Sequence, residues 1–352
     1  MGINLVFAVA IVSRFFHGTI TNPTLQKSIS EIMIAVLLGL YIGNAFPLNQ
    51  ALRCGARFAM QHLLRLGIIL LGLRLSLQDV AATGGKALIL VILCICAALT
   101  LAYLAGRIFK IPPRLAALIG VGTAICGNTA IIATAPVIEA SEEEMGFAVA
   151  TITLFGLLAV LVYPIIGHAF GISDQAFGLW AGTAVNDTSQ VVAVGAIYSE
   201  ASLNIATIVK LTRNTLMAPL IILFGLLYSR RANNVEDTAN GNKARFDWKK
   251  IIPGFVIGFL VMALLRTLGV AAGVLPQNVA QPGNLQDAAA FLKGVDEFSK
   301  FLILMALAGV GLNTNLASLR RIGLKPLLVG TCVALLLAII SISLILFTPL
   351  GA

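Results

Sequence analysis

The chain alternates between long apolar stretches and short polar segments, and the apolar stretches are long enough to cross a membrane as helices. A bilayer core about 30 Å thick takes roughly 20 apolar residues per helix. Within the stretches, residues do not alternate between apolar and polar, as in the strands of a membrane barrel. The pattern predicts an all-α polytopic membrane protein with ten or eleven transmembrane segments. These segments lie near 3–15, 29–46, 60–77, 86–107, 114–139, 145–170, 174–198, 203–229, 250–272, 296–313 and 325–348.

Charge narrows the class of protein and orients the helices. Only 11% of the 352 residues are charged and 59% are hydrophobic, which is too little charge for the surface of a soluble domain. The net charge of +9 comes largely from four basic segments, which the positive-inside rule places in the cytoplasm and which do not indicate nucleic-acid binding. The basic segments are the loop of Arg53 and Arg57, 107–114, 229–250 and 320–325. Loops poor in Lys and Arg, predicted outside, lie near 16–28, 78–85, 199–203 and 273–292.

One polar, Asn-rich segment, 230–249, divides the apolar chain into two parts. Its composition is typical of a flexible linker, and its basic residues favour the cytoplasmic side. We therefore predict an N-terminal membrane half over 1–229, a cytoplasmic linker over 230–249 and C-terminal membrane helices over 250–352.

Two apolar segments of the N-terminal half, 113–139 and 174–198, are interrupted by polar residues and match each other. In register, 122-GTAICGNTAIIATAPVI aligns with 182-GTAVNDTSQVVAVGAIY, and elsewhere 72-GLRLSLQDVAATGGKAL aligns with 311-GLNTNLASLRRIGLKPL. Non-helical backbone at membrane depth survives only where it is buried in protein or lines a wet cavity. We therefore predict two discontinuous or re-entrant helices. The first pair is an inverted repeat if both are hairpins, and runs parallel if both cross as broken helices. Paired interruptions of this kind indicate a transporter site at the midplane.

Asp187 is the strongest candidate for chemistry because it lies at the centre of an apolar segment. An ionisable residue inside a membrane is by default a functional hypothesis. The alternative is a structural salt bridge with Lys210 or Arg213. The neighbouring polar residues that could share an ion or substrate site with it are Asn186, Thr188, Ser189 and Gln190.

Lys210 and Arg213 are spaced i and i+3, so they share one face of a helix. They could snorkel to the outer interface. They could instead face the bundle, where they would hold an anion or pair with Asp187.

The first interrupted segment offers an amide, hydroxyls and exposed backbone amides. A half-helix that begins at such an interruption carries partial positive charge and binds anions. The candidate residues of this segment are Thr123, Cys126, Gly127, Asn128 and Thr129. The alternative for each of these residues is close packing of membrane helices, which small polar residues also allow. We expect no cofactor and no metal, and the absence of a catalytic constellation in the sequence argues against an enzyme.

These segments, with 67-GIILLGLRLSL, 147-AVATITLFG and 206-ATIVKLTRNTLMAP, resemble the YeiH-like sulfate exporter family of bacterial membrane proteins over nearly the whole chain. The family is grouped with the cation:proton antiporter and anion transporter superfamily. The resemblance implies a scaffold with a mobile core, inverted repeats crossing at discontinuous helices, and a homodimer formed through the scaffold. Many members carry a His-Glu pair and an Ala-Gln where this chain has Asn186, Asp187, Ser189 and Gln190, so carrying over sulfate is doubtful.

We therefore expect a secondary active transporter in the bacterial inner membrane that exports or exchanges a small anion such as sulfate, sulfite or a sulfonate. Coupling to protons by an elevator-type movement is part of this hypothesis. The alternative is a monovalent cation/proton antiporter with Asp187 as its ion site. A third possibility, from a different class, is an intramembrane enzyme or receptor. The expected partners are a small anion, a proton or sodium, membrane lipid and a second copy of the chain.

Overall fold

The computed structural model describes residues 2–19, 30–232, 254–276, 285–314 and 323–348, and these residues form helices and short connections without a β-strand. One turn of π-helix, Ala59–Leu63, lies within the helix Gln50–Arg74. The helices are α1 Gly2–Thr19, α2 Glu31–Ala45, α3 Gln50–Arg74, α4 Leu77–Ile108, α5 Pro113–Ala124, α6 Asn128–Thr134, α7 Glu142–Ala169, α8 Asp174–Ala184, α9 Thr188–Tyr198, α10 Glu200–Thr215, α11 Met217–Ala232, α12 Gly254–Ala271, α13 Gln286–Asn313 and α14 Leu324–Phe347.

Each apolar stretch of the sequence coincides with a helix or with two consecutive helices. Among the described residues, seven helical spans are long and apolar enough to cross a membrane by themselves. The remaining stretches fall short of this for physical reasons. Helix α2 has only 15 residues, α13 begins with a charged half, and the two interrupted segments are split into short helices.

The helices pack into two bundles. Helices α1, α2, α3, α12 and α13 pack together and form what we call the flanking bundle. Helices α4 to α10 and α14 form the hairpin bundle. Each bundle thus contains helices from both sides of the predicted linker. Helix α11 ends at Ala232, so the first residues of that linker are helical, and 233–249 lie outside the described residues. The division into two sequence halves stays a prediction.

Close packing in the flanking bundle depends on glycine. A Cβ at Gly39 of α2 would lie 2.5 Å from the carbonyl oxygen of Ala308 on α13. A Cβ at Gly311 of α13 would overlap the carbonyl oxygen of Val36 on α2. The two helix backbones are therefore in direct contact, as small residues allow in membrane proteins.

Each interrupted segment folds back on itself as a helical hairpin. In the first hairpin, Arg114 at the start of α5 pairs with Glu139 just beyond α6 at 3.5 Å. In the second, the Ser202 hydroxyl that follows α9 donates to the carbonyl of Asp174 at the start of α8, at 2.8 Å. We call 125–127 the first tip and 185–187 the second tip, because these are the non-helical turns of the two hairpins.

Helix α7 separates the open ends of the two hairpins. It begins at Glu142, just after the first hairpin, and ends at Ala169, just before the second. Its 28 residues make it about 42 Å long, so the open ends lie at opposite ends of this helix. An acidic turn begins at Glu139, and the pairing of Glu139 with Arg114 puts this turn on the side of the basic segment 107–114.

We expect Gly311→Ala to lower the stability of the folded protein by about 1–3 kcal/mol, because the new methyl group would push α2 and α13 apart. The matched control is Gly294→Ala on the same helix, where a Cβ would meet no atom within 4 Å. Thermal unfolding in detergent measures both. Equal melting temperatures for the two variants would contradict the close α2–α13 contact.

Candidate functional site

The two hairpin tips touch each other. A Cβ added to Gly127 would lie 3.3 Å from the Cα of Asp187, so the first tip lies directly against the second. Gly127 has φ +64°, a conformation that favours glycine, and its N–H donates to the carbonyl of Gly122 at 2.9 Å. Glycine therefore both ends α5 and leaves room for Asp187.

Asp187 is half-buried and caps the start of α9. Its Oδ2 accepts hydrogen bonds from the backbone N–H of Ser189, at 3.0 Å, and from the Ser189 hydroxyl. Its own N–H donates to Oε1 of Gln190 at 3.2 Å, which completes a capping box. One carboxylate oxygen is thus engaged, while Oδ1 lies on the side of Gly127.

Lys210 of α10 joins the two tips through backbone carbonyls. Its ammonium donates to the carbonyl of Ile125 in the first tip at 2.7 Å and to that of Val185 in the second at 3.1 Å. A third bond goes to the carbonyl of Asn186. The side chain is completely buried. The cation therefore supplies the hydrogen bonds that the carbonyls of the turns would otherwise lack.

Arg213 does the same one helical turn further along α10. Its guanidinium donates to the carbonyl of Ala124, the last residue of α5. It also donates to the carbonyl of Thr183 at 2.7 Å and to that of Val185 at 3.3 Å. Carbonyls at a helix C-terminus carry partial negative charge, which a cation stabilises.

Lys210 and Arg213 both face the interior of the bundle, which was one of the alternatives from the sequence. Snorkelling is wrong, because the exposed fractions of Lys210 and Arg213 are 0% and 1%. None of the ion pairs between described residues joins either of them to Asp187. Backbone carbonyls are their partners, and both head groups are turned away from any open surface.

Helix α7 forms a third wall of the site. The Asn128 amide donates to the Thr153 hydroxyl at 3.5 Å, and the Gln190 amide donates to the Thr153 carbonyl at 3.4 Å. The Asn186 amide donates to the carbonyl of Ile152 at 3.4 Å. A Cβ at Gly156 would overlap the Gln190 carboxamide. Sequence reasoning missed Thr153 and Gly156, although a threonine and a glycine in an apolar helix were the available signal.

The remaining candidate residues lie at or beside the tips with different exposure. Thr123 is buried in the last turn of α5, and the thiol of Cys126 lies 3.7 Å from the sulfur of Met217. Thr188 is half-buried and Thr129 is exposed, so the tips are reachable from one side. The fold therefore brings every candidate from the two interrupted segments into one region.

Unpartnered oxygens mark this region as rich in acceptors. The Oδ1 atoms of Asn128 and Asn186 are buried and accept no hydrogen bond from the described residues. Together with the Asp187 carboxylate these oxygens suit a proton or a small cation. The Nη2 of Arg213 is also buried, and it donates to none of the described residues.

The chain matches the family model described as Conserved hypothetical protein 698 over residues 1–330. It is similar to proteins named UPF0324 membrane protein. That of Clostridium tetani is 33% identical over 347 residues, covering 97% of this chain and 95% of the relative. That of Fusobacterium nucleatum is 33% identical over 356 residues, covering 97% and 96%, and that of Streptococcus agalactiae serotype V is 35% identical over 323 residues, covering 91% and 90%.

No solved structure shows a significant match. The family model and these relatives show that the chain belongs to the conserved hypothetical protein 698 family. With its apolar helical spans, it is a multi-pass membrane protein. The names of these relatives state no substrate, so the sulfate exporter resemblance stays a prediction.

We expect Gly156→Ala to displace Gln190 and break the capping box at Asp187, because the new methyl group would occupy the place of the carboxamide. Loss of such a cap costs about 1 kcal/mol and loosens the first turn of α9. Hydrogen–deuterium exchange of the peptide around 187–192 measures the loosening. Gly146→Ala on the same helix, where a Cβ meets no atom within 4 Å, is the control. Unchanged exchange in Gly156→Ala would contradict this geometry.

Proposed function

We propose that this member of the conserved hypothetical protein 698 family is a secondary active transporter whose coupling ion, a proton or a monovalent cation, binds at Asp187. The observation that carries the proposal is the state of the charges at the hairpin tips. Asp187 is half-buried and forms no ion pair with a cation among the described residues, whereas the Lys210 ammonium donates to three backbone carbonyls.

The depth of the tips supports a site at the membrane midplane. The contacts from Asn128 and Asn186 reach Thr153 and Ile152, which lie near the middle of α7. Because the open ends of the hairpins lie at opposite ends of α7, we take them as re-entrant hairpins that enter from opposite faces. The matching segments 122–138 and 182–198 would then be an inverted repeat, the arrangement that secondary transporters use around a central site.

The chemistry of the site favours a cation or a proton. A carboxylate at this depth is costly unless it is protonated or neutralised by a cation. The unpartnered amide oxygens of Asn128 and Asn186 would add ligands for a small cation. This supports the cation/proton antiporter among the two transport hypotheses from the sequence.

A small anion such as sulfate remains the second candidate substrate, and one observation favours it. The Nη2 of Arg213 is buried and donates to none of the described residues, so this nitrogen is a donor available to a negatively charged group. Asp187 would still carry the coupling ion in this case. Lys210 would help only through its field, because its ammonium already donates to three carbonyls.

Movement of one bundle against the other would expose the tips to each side in turn. The hairpin bundle would be the mobile unit and the flanking bundle the scaffold, in an elevator-type mechanism. A homodimer formed through the flanking bundle, in the bacterial inner membrane, completes the proposal.

Flux through purified protein in liposomes tests the role of Asp187. An outward gradient of Na⁺ or K⁺ should drive protons in the opposite direction, followed by a trapped pH dye. Asp187→Asn should reduce this flux to that of protein-free liposomes, because the amide neither takes up a proton nor carries the negative charge that balances a bound cation. Asp174→Asn, an exposed acid at the start of α8, is the matched control and should keep the flux.

Two results would contradict parts of the proposal. Cation-driven proton flux that persists in Asp187→Asn would remove the ion site. Proton flux driven only by a sulfate or sulfite gradient would replace the cation reading by the anion candidate.

A further inference from the structure

A second group of charges lies away from the hairpin tips and connects the two bundles. Glu200 is the first residue of α10 in the hairpin bundle. Its carboxylate accepts from Arg74 at the end of α3, at 2.6 Å, and from Lys300 of α13. Both cations belong to the flanking bundle, so two ion pairs meet on one acid from the opposite bundle.

The two cations are held in place from within the flanking bundle. Asp296 of α13 pairs with Arg74 at 3.2 Å and with Lys300 at 2.9 Å, one helical turn away. Glu200 can therefore leave without separating Arg74 from Lys300. These ion pairs are one of the contacts between the bundles, beside those of α9 with α2 and α13 and of α12 with α4.

We propose that Glu200, Arg74 and Lys300 form an ionic latch that holds the two bundles in the arrangement seen here and opens when they move. The proposal rests on the proposed function in one respect, the movement of the hairpin bundle. Helix α10 packs mainly on α8, α9 and α4, so near Glu200 its link to α3 and α13 is made by long side chains. Long side chains can release a partner without unpacking a helix interface.

The latch is coupled to the site through one rigid element. Glu200 and Lys210 lie on the same helix, about 15 Å apart along its axis. Any displacement of the tips that carries Lys210 also carries Glu200. The Glu200 side chain is 57% exposed, and ion pairs this exposed are individually weak and screened by salt. Weak pairs suit a contact that must break in every cycle.

Pulsed electron paramagnetic resonance between two spin labels tests the latch. Labels replace Phe170, exposed just beyond α7, and Gly294, exposed on α13, in a background without the five native cysteines. We expect one dominant distance in the parent protein. Glu200→Gln should raise the ratio of the other arrangement to this one by roughly fivefold, because it removes two such pairs. High salt should shift the parent in the same direction.

The matched control is Glu297→Gln on α13. This substitution also removes two ion pairs, those of Glu297 with Arg14 at 3.4 Å and with Lys300 at 4.0 Å. Both of these ion pairs lie within the flanking bundle. Its distance distribution should equal that of the parent. The double variant Arg74→Gln with Lys300→Gln removes the latch from the other side and should reproduce the shift of Glu200→Gln, which keeps the test valid if one variant fails to fold.

An unchanged distribution in the Glu200 variant and in the double variant would overturn the latch, as would an equal shift in Glu297→Gln. The distances are measured without an ion gradient. A protein that shows the shift but no Asp187-dependent flux would therefore refute the proposed function and leave the latch. A protein with Asp187-dependent flux but no shift in the distance distribution would refute the latch and leave the proposed function.

Discussion

Helices that end inside the protein at membrane depth leave backbone carbonyls without water, and here two cations on α10 supply the missing hydrogen bonds. Lys210 and Arg213 bind carbonyls from the last turns of α5 and α8 and from both tips. Each such group left unpaired would cost several kcal/mol. The two hairpins can therefore end where they do only because α10 lies beside both of them. The contact of Gly127 with Asp187, and with it the site, depends on this placement.

The same arrangement separates charge around the tips. Helices α5 and α8 end against cations, while α9 begins at the Asp187 carboxylate, so each helix end faces the sign that stabilises it. Because Lys210 is committed to carbonyls, the half-buried Asp187 carboxylate is left without a cation as its partner. Helix α10 also carries Glu200, which places the site and one contact between the bundles on the same helix. A shift of that helix would change both.

The positions of the helices and of the polar interruptions could be predicted from the sequence, because apolar length and the cost of Asp187 at membrane depth are both visible there. The partners of Lys210 and Arg213 could not, since backbone carbonyls carry no residue signature. The way each interrupted segment folds back on itself depends on pairs such as Arg114 with Glu139, which only the fold brings together. The role of Thr153 could not be predicted, because the hydroxyl of a single threonine in an apolar helix usually donates to a backbone carbonyl of the same helix. The Thr153 hydroxyl does so here as well, to the carbonyl of Val149.

Lys210 is held by the carbonyls of the hairpin tips, and Asp187 is not paired with it. A double-mutant cycle of Lys210→Met and Asp187→Asn, with unfolding in bicelles followed by steric trapping, measures the coupling between the two side chains. We expect a large loss of stability for Lys210→Met alone and a coupling energy below about 1 kcal/mol. A coupling of roughly 3 kcal/mol, as for a buried ion pair broken by removing one partner, would show that the two side chains pair with each other and would contradict this expectation.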